Sequence, residues 1–77
     1  MRPSSDDVIN ALTRNGFLQS AGTGRKGTHR TYYRKRQGNV SQTVTVILGK
    51  REIPKGTLRN MARQLGITID ELMDWLK

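Results

Sequence analysis

The sequence predicts an α+β fold in the order α-β-β-β-α, with a short extra helix at the C-terminus. Apolar residues recur at helical spacing near both ends of the chain and alternate with polar residues in the middle, where glycine-rich turns separate short segments. Short strands joined by tight turns favour a three-stranded antiparallel sheet with the helices packed on one face. The 77 residues suffice for a single domain, residues 1–77.

Residues 5–15 predict the first helix. Either Ser4 or Ser5 can cap its N-terminus, and two aspartates follow in the first turn, where the helix dipole favours negative charge. Gly16 is a natural C-terminal cap. The apolar stripe of this helix consists of Val8, Ile9 and Leu12.

The middle of the chain predicts three strands, at residues 17–20, 28–35 and 42–48, separated by turns at residues 21–27 and 37–41. The third strand has the clearest alternation, and the other two are assigned by their Thr, Tyr and apolar content. Its predicted faces are Val44, Val46 and Leu48 on one side and Thr43 and Thr45 on the other. The face turned away from the helices is expected to carry threonines and basic residues.

The last third of the chain returns to helical spacing. Thr57 is expected to cap a helix over residues 58–66, which ends at a glycine. Thr68 and Glu71 predict a capping box for a short final helix within residues 68–77. The larger apolar residues are expected to be core rather than a cofactor pocket, and they include Met61, Leu65 and Trp75.

Charge limits the classes of partner. The formal net charge is +8, the pI is near 10.9, and no acidic residue lies between Asp7 and Glu52. Such a basic stretch is typical of proteins that bind nucleic acid or an acidic protein. With no cysteine and one histidine, neither a metal site nor a cofactor is expected. The chain also lacks a long apolar run and a signal peptide, which predicts a cytoplasmic protein with no membrane partner.

Three segments together resemble a known family. They are "DVINALTRNGF", a leading helix that ends in Gly-aromatic; "GTH", Gly27-Thr28-His29 at the start of a strand; and "VTVILGKREIPKGTLRNMARQLGI", a strand followed by a turn and a helix. In this order and spacing they are similar to the HicA toxins of prokaryotic toxin–antitoxin pairs, from about Asp7 to about Leu76.

The resemblance implies a fold like that of double-stranded-RNA-binding domains and an mRNA interferase activity that arrests translation. It also implies a cognate antitoxin of the HicB type that blocks the toxin, and it assigns the catalytic histidine to His29. Two features depart from the family's pattern. Arg30 follows the histidine, where many members have a second histidine or another residue, and the preceding turn is longer and richer in glycine.

A single histidine suits RNA cleavage without a metal, because the ribose 2′-hydroxyl can attack its own phosphate once a base removes its proton. A Lys, Arg, Tyr or water would then protonate the leaving oxygen. The two adjacent tyrosines can stack on a base, although strand alternation turns one of them inward. The residues predicted to bind RNA are Arg25, Lys26, Gly27, Thr28, Arg30, Tyr32, Arg34 and Lys35.

Other interpretations remain open from the residues alone. His29 can be a solvated strand residue in a non-catalytic RNA-binding module, which shares every electrostatic feature. "LRNMARQLGITIDELMDWL" also resembles a helix-turn-helix. Its second helix carries Asp70, Glu71 and Asp74, which disfavours approach to phosphates. A membrane-surface peptide is disfavoured, since the basic region is not an amphipathic helix. An acidic antitoxin covering the basic face and His29 is the expected protein partner.

Overall fold

The computed structural model describes residues 2–20, 29–35 and 41–77, which form three helices and a three-stranded antiparallel sheet. The α+β class, the element order and the extra C-terminal helix are as predicted. The elements are α1 (Ser5–Arg14), β1 (Leu18–Gln19), β2 (His29–Lys35), β3 (Ser41–Ile47), α2 (Lys55–Leu65) and α3 (Ile69–Trp75). The expected turns lie outside the described residues, except for Ser41, which begins β3.

The N-terminal caps of α1 and α3 and the end of α2 at Gly66 agree with the prediction, but the N-terminal cap of α2 does not. Ser4 forms a capping box with Asp7, and Thr68 forms one with Glu71. Thr57 was predicted to cap α2, and this prediction is wrong, since Thr57 lies inside the helix. Pro54 is the N-cap instead, and its carbonyl accepts the amide hydrogen of Leu58 at 3.0 Å. A proline needs no amide partner at a helix start, so the helix begins before the threonine.

The strands are ordered β1-β2-β3, and the helices pack on one face of the sheet. Val44 and Val46 of β3 face the helices, as the alternation predicted. Leu48 does not extend this face, because β3 ends at Ile47 and Leu48 lies in the following turn. The core side chains are Val8, Leu12, Phe17, Tyr32, Val44, Val46, Ile53, Leu58, Met61, Ala62, Leu65 and Leu72.

The first residue of α1 and the segment before it are hydrogen-bonded to the end of β3 and to the connection between β3 and α2. The Ser5 amide donates to the Lys50 carbonyl at 2.9 Å, and the buried Ser5 hydroxyl donates to the carbonyl of Ile47. The Ile53 amide donates to the Pro3 carbonyl at 2.8 Å. These bonds hold the N-terminal segment on the helix side of the sheet. The segment therefore does not cover the opposite face of the sheet.

Candidate active site

Strand β2 contains all of the described candidate residues, and its register divides them between two faces. Arg30 is paired with Val46, Tyr32 with Val44 and Arg34 with Gln42. Directly opposite residues of an antiparallel pair point to the same face. Because these three partners are buried under the helices, the even-numbered residues of β2 face the helix layer. The remaining residues, His29, Thr31, Tyr33 and Lys35, form what we call the open face together with their partners on β1 and β3.

His29 is the first residue of β2 and lies opposite Ile47. Its imidazole is exposed on the open face, where a bound molecule can reach it. The next residue on this face, Thr31, lies about 7 Å further along the strand. The Thr31 hydroxyl is 3.3 Å from that of Thr45, so a hydroxyl pair adjoins the histidine and can hydrogen-bond to sugar or phosphate oxygens.

Further along the open face, Tyr33 lies opposite Leu18 of β1 and Thr43 of β3. Leu18 is 60% exposed, which is unusual for a leucine within a sheet, and Tyr33 is half-buried. The two side chains together offer a flat apolar surface about 13 Å from His29 along the strand. Such a surface can stack against an unpaired base.

Lys35 is exposed at the far end of the same face, about 20 Å from His29. None of the three described strands contains an acidic residue. The carboxylates lie instead on α1, on α3 and in the connection at Glu52, so nothing on the strands opposes the approach of a polyanion to the open face.

Tyr32 was predicted to bind RNA, and the structure places it elsewhere. Its side chain is 5% exposed and belongs to the core beneath the helices. A ring packed in the core is not accessible to a base, so the stacking interpretation applies to Tyr33. Arg30 is half-buried on the same helix-facing side and does not share the face of His29.

Arg34 was also predicted to bind RNA, but it joins the helices to the sheet. Its guanidinium donates to the carbonyl of Asn15 at 2.7 Å and twice to Gln42 Oε1, once at 2.9 Å from Nε. The same guanidinium lies 4.7 Å from the ring centre of Phe17 and 5.4 Å from that of Trp75. These contacts combine the hydrogen-bonding fork of the guanidinium with cation–π contacts to two neighbouring aromatic rings.

The network around Arg34 continues through Gln42, whose amide nitrogen donates to the carbonyl of Leu65 at 2.8 Å. Asn15 follows the last residue of α1, and Leu65 is the last residue of α2. Carbonyl groups at helix ends lack partners within the helix and carry partial negative charge. Arg34 and Gln42 therefore satisfy two helix C-termini at once, which a sequence pattern does not reveal.

The remaining predicted RNA-binding residues, Arg25, Lys26, Gly27 and Thr28, lie outside the described residues and stay predictions. These four residues directly precede His29 in the sequence and include two cations and a glycine. Among the described residues, no three acidic, histidine or cysteine side chains are grouped so as to hold a metal ion.

A family model described as the HicA toxin of bacterial toxin–antitoxin systems matches residues 5–67. This match extends from the start of α1 to just beyond α2 and includes every strand. The chain belongs to the HicA toxin family. Membership makes it a toxin of a toxin–antitoxin pair and implies a cognate antitoxin. The chain matches no curated protein.

The matched region ends before α3, although Trp75 of α3 stacks on Arg34 and lies 5.9 Å from the ring of Phe17. This HicA toxin therefore uses residues beyond the matched region to complete its packing. In the described part of the chain, no helix has the length and apolar character needed to cross a membrane.

Proposed function

We propose that this HicA-family toxin is a metal-independent endoribonuclease, an mRNA interferase that arrests translation in the cytoplasm with His29 as its single catalytic histidine. The observation that carries the proposal is the exposed imidazole at the end of a carboxylate-free open face. The basic, glycine-rich residues 24–28 lead directly into it, so a phosphate backbone bound there would lie beside the imidazole.

In the proposed reaction, the neutral imidazole of His29 takes the proton from a ribose 2′-hydroxyl. The 2′-oxygen attacks the adjacent phosphorus, and the bond from phosphorus to the 5′-oxygen of the next nucleotide breaks. That oxygen takes a proton from water or from a nearby side chain. The products are a 2′,3′-cyclic phosphate and a 5′-hydroxyl end. The reaction therefore requires neither a metal nor a nucleophile other than the 2′-oxygen.

The other residues of the open face would bind and orient the RNA. Tyr33 with Leu18 offers a stacking surface, Lys35 offers a charge for the backbone, and the hydroxyls of Thr31 and Thr45 offer hydrogen bonds near His29. Arg25 and Lys26 are expected to hold phosphates beside the histidine. Because His29 and the other described residues of the proposed site share the open face, an acidic antitoxin of the HicB type that covers this face would block cleavage.

The test compares the wild-type chain with His29→Ala on a long unstructured RNA in the presence of EDTA. General acid–base catalysis contributes about 10²–10⁴-fold, so the variant should cut at least about 100-fold more slowly while binding the RNA equally well. The exposed position predicts an unchanged unfolding temperature, which serves as the control for folding. Equal RNA binding with no cleavage by either protein would make the chain a binding module instead.

A second substrate tests the chemistry itself. An RNA with one 2′-deoxyribose at the preferred cleavage position lacks the proposed nucleophile and should resist cutting at that bond, while neighbouring bonds are still cut. Normal cutting at the deoxyribose would exclude attack by the 2′-oxygen. Mass spectrometry of the product ends should find the cyclic phosphate.

A further inference from the structure

A groove on the helix layer forms a second surface, distinct from the open face. It lies between α2, α3 and the segment before α1, has a volume of about 450 Å³, and is lined by no strand residue. Its apolar lining includes Leu58, Ile69 and Met73. Met73 is 38% exposed and is, with Leu18, one of two large apolar residues that are exposed in the described part of the chain. An exposed apolar side chain in a concave site is typical of a protein-binding surface.

The rim of the groove is positively charged. Arg2, Lys55 and Arg59 line it, against a single carboxylate, Asp70. In the described residues, none of these three cations forms an ion pair with Asp70 or with another carboxylate. Asp70 lies in the first turn of α3, where the helix dipole partly offsets its charge. The groove therefore combines an apolar floor with three cations that have no carboxylate partner among the described residues.

We propose that this groove binds an acidic amphipathic segment of the cognate antitoxin. An apolar side chain of that segment would lie on Ile69 and Met73, and its carboxylates would pair with Arg2, Lys55 and Arg59. A nucleic-acid backbone would match the cations but would leave the apolar floor without a partner, so the chemistry favours a peptide. The proposal rests on the family's antitoxin and is independent of whether His29 cleaves RNA.

The location gives the contact a distinct consequence. The helices cover one face of the sheet and His29 lies on the other, so a segment in the groove would not itself cover the histidine. The antitoxin would hold the toxin on both sides, with one contact that blocks the open face and a second that adds affinity. Two linked contacts can raise overall affinity well beyond that of either contact alone. Ile69 and Met73 also lie beyond the region matched by the family model, so this contact can favour one antitoxin over another.

The test uses Arg59→Glu with Arg63→Glu as the matched control. Both arginines are exposed on α2 and both substitutions change the net charge by the same amount, but only Arg59 lines the groove. Binding of the purified cognate antitoxin is measured by titration calorimetry, with each variant made in a His29→Ala background. We expect at least about a tenfold loss of affinity for Arg59→Glu, equivalent to about 1.4 kcal/mol, and less than about a twofold loss for Arg63→Glu.

Hydrogen exchange on the wild-type complex gives an independent readout, and binding in the groove should slow the amides of α3. Equal effects of the two substitutions, no effect of either, or unchanged exchange in α3 would each overturn the proposal. Arg59→Glu in the His29-containing chain should leave RNA cleavage unchanged. A selective loss of RNA binding in that variant would identify the groove as a nucleic-acid site and overturn the proposal as well.

Discussion

Strand β2 carries a tyrosine and a cation on each of its faces. Tyr32 and Arg34 face the helices, where the tyrosine belongs to the core and the arginine bonds to the ends of other elements. Tyr33 and Lys35 are their neighbours in sequence and face outward. Residue type therefore does not decide the role of a side chain in this strand. The same chemical pair stabilises the fold on one face and is available to a ligand on the other.

The largest difference in stability is expected between Tyr32→Ala and Tyr33→Ala. Removing the buried ring should lower the free energy of unfolding by about 3–5 kcal/mol, because it leaves a cavity in the core. Removing the half-buried ring of Tyr33 should lower it by less than about 1 kcal/mol. Both losses in the free energy of unfolding are measured by urea denaturation, with unfolding monitored by circular dichroism. Similar losses for the two variants would mean that Tyr32 is not more deeply buried than Tyr33, contrary to the strand register.

The second comparison is between Arg34→Met and Lys35→Met. Losing the guanidinium leaves Gln42 and the Asn15 carbonyl without their partner, and we expect a loss of about 2–4 kcal/mol in the free energy of unfolding. Lys35→Met should change it by less than about 0.5 kcal/mol. Arg34→Lys sharpens the test, since an ammonium cannot reproduce the planar fork and should recover little of the loss. Full recovery by lysine would show that charge alone matters here.

The third prediction concerns RNA binding by Tyr33, measured in a His29→Ala background so that the RNA stays intact. Stacking of a base on an aromatic ring contributes about 1–3 kcal/mol, so Tyr33→Ala should weaken binding by about 5-fold to 150-fold. Tyr33→Phe keeps the ring and should bind within about twofold of the parent. Fluorescence anisotropy with a labelled single strand measures the affinities. A phenylalanine variant as weak as the alanine variant would assign the effect to the hydroxyl instead.

The smallest effect is expected at the hydroxyl pair of Thr31 and Thr45. Thr31→Val removes one partially buried hydrogen bond on the open face and should lower the free energy of unfolding by at most about 1 kcal/mol. Thr31→Val combined with Thr45→Val should lower it by no more than either single change, because both partners of one bond are then gone. Additive losses in this double-mutant cycle would indicate that the two hydroxyls act separately.

Several local features could be predicted from the sequence because they depend on neighbouring residues. The capping box at Thr68 follows from Thr68 and Glu71, and the cap of α1 follows from the serines that begin it, although Ser4 and Ser5 were equal candidates. The inward face of β3 follows from its alternating valines. The start of α2 was predicted too late, since Thr57 has the preferred cap chemistry but Pro54 comes earlier and already allows the helix to begin. When two residues can each cap the same helix, the preference of a residue type for the cap position does not decide which of them does so.

The candidate site was predictable only in part. His29 could be singled out because it is the chain's one histidine and follows the "GT" of a recognisable segment. The role of Arg34 could not be predicted, because its partners Asn15, Gln42, Phe17 and Trp75 come from separate parts of the chain that only the fold brings together. A cation in a basic stretch looks the same whether it faces solvent or the ends of two helices.

The amino-acid sequence alone was enough to predict the kinds of elements and their order, and it shows the basic middle of the chain and the resemblance to the HicA family. Which face of β2 is buried depends instead on the packing of the folded chain. The sequence of that strand, "HRTYYRK", has similar polar and aromatic residues at odd and even positions, so its own pattern has no apolar side. The choice comes from the register with β3, because Val44 and Val46 must face the helices and directly opposite residues share their face.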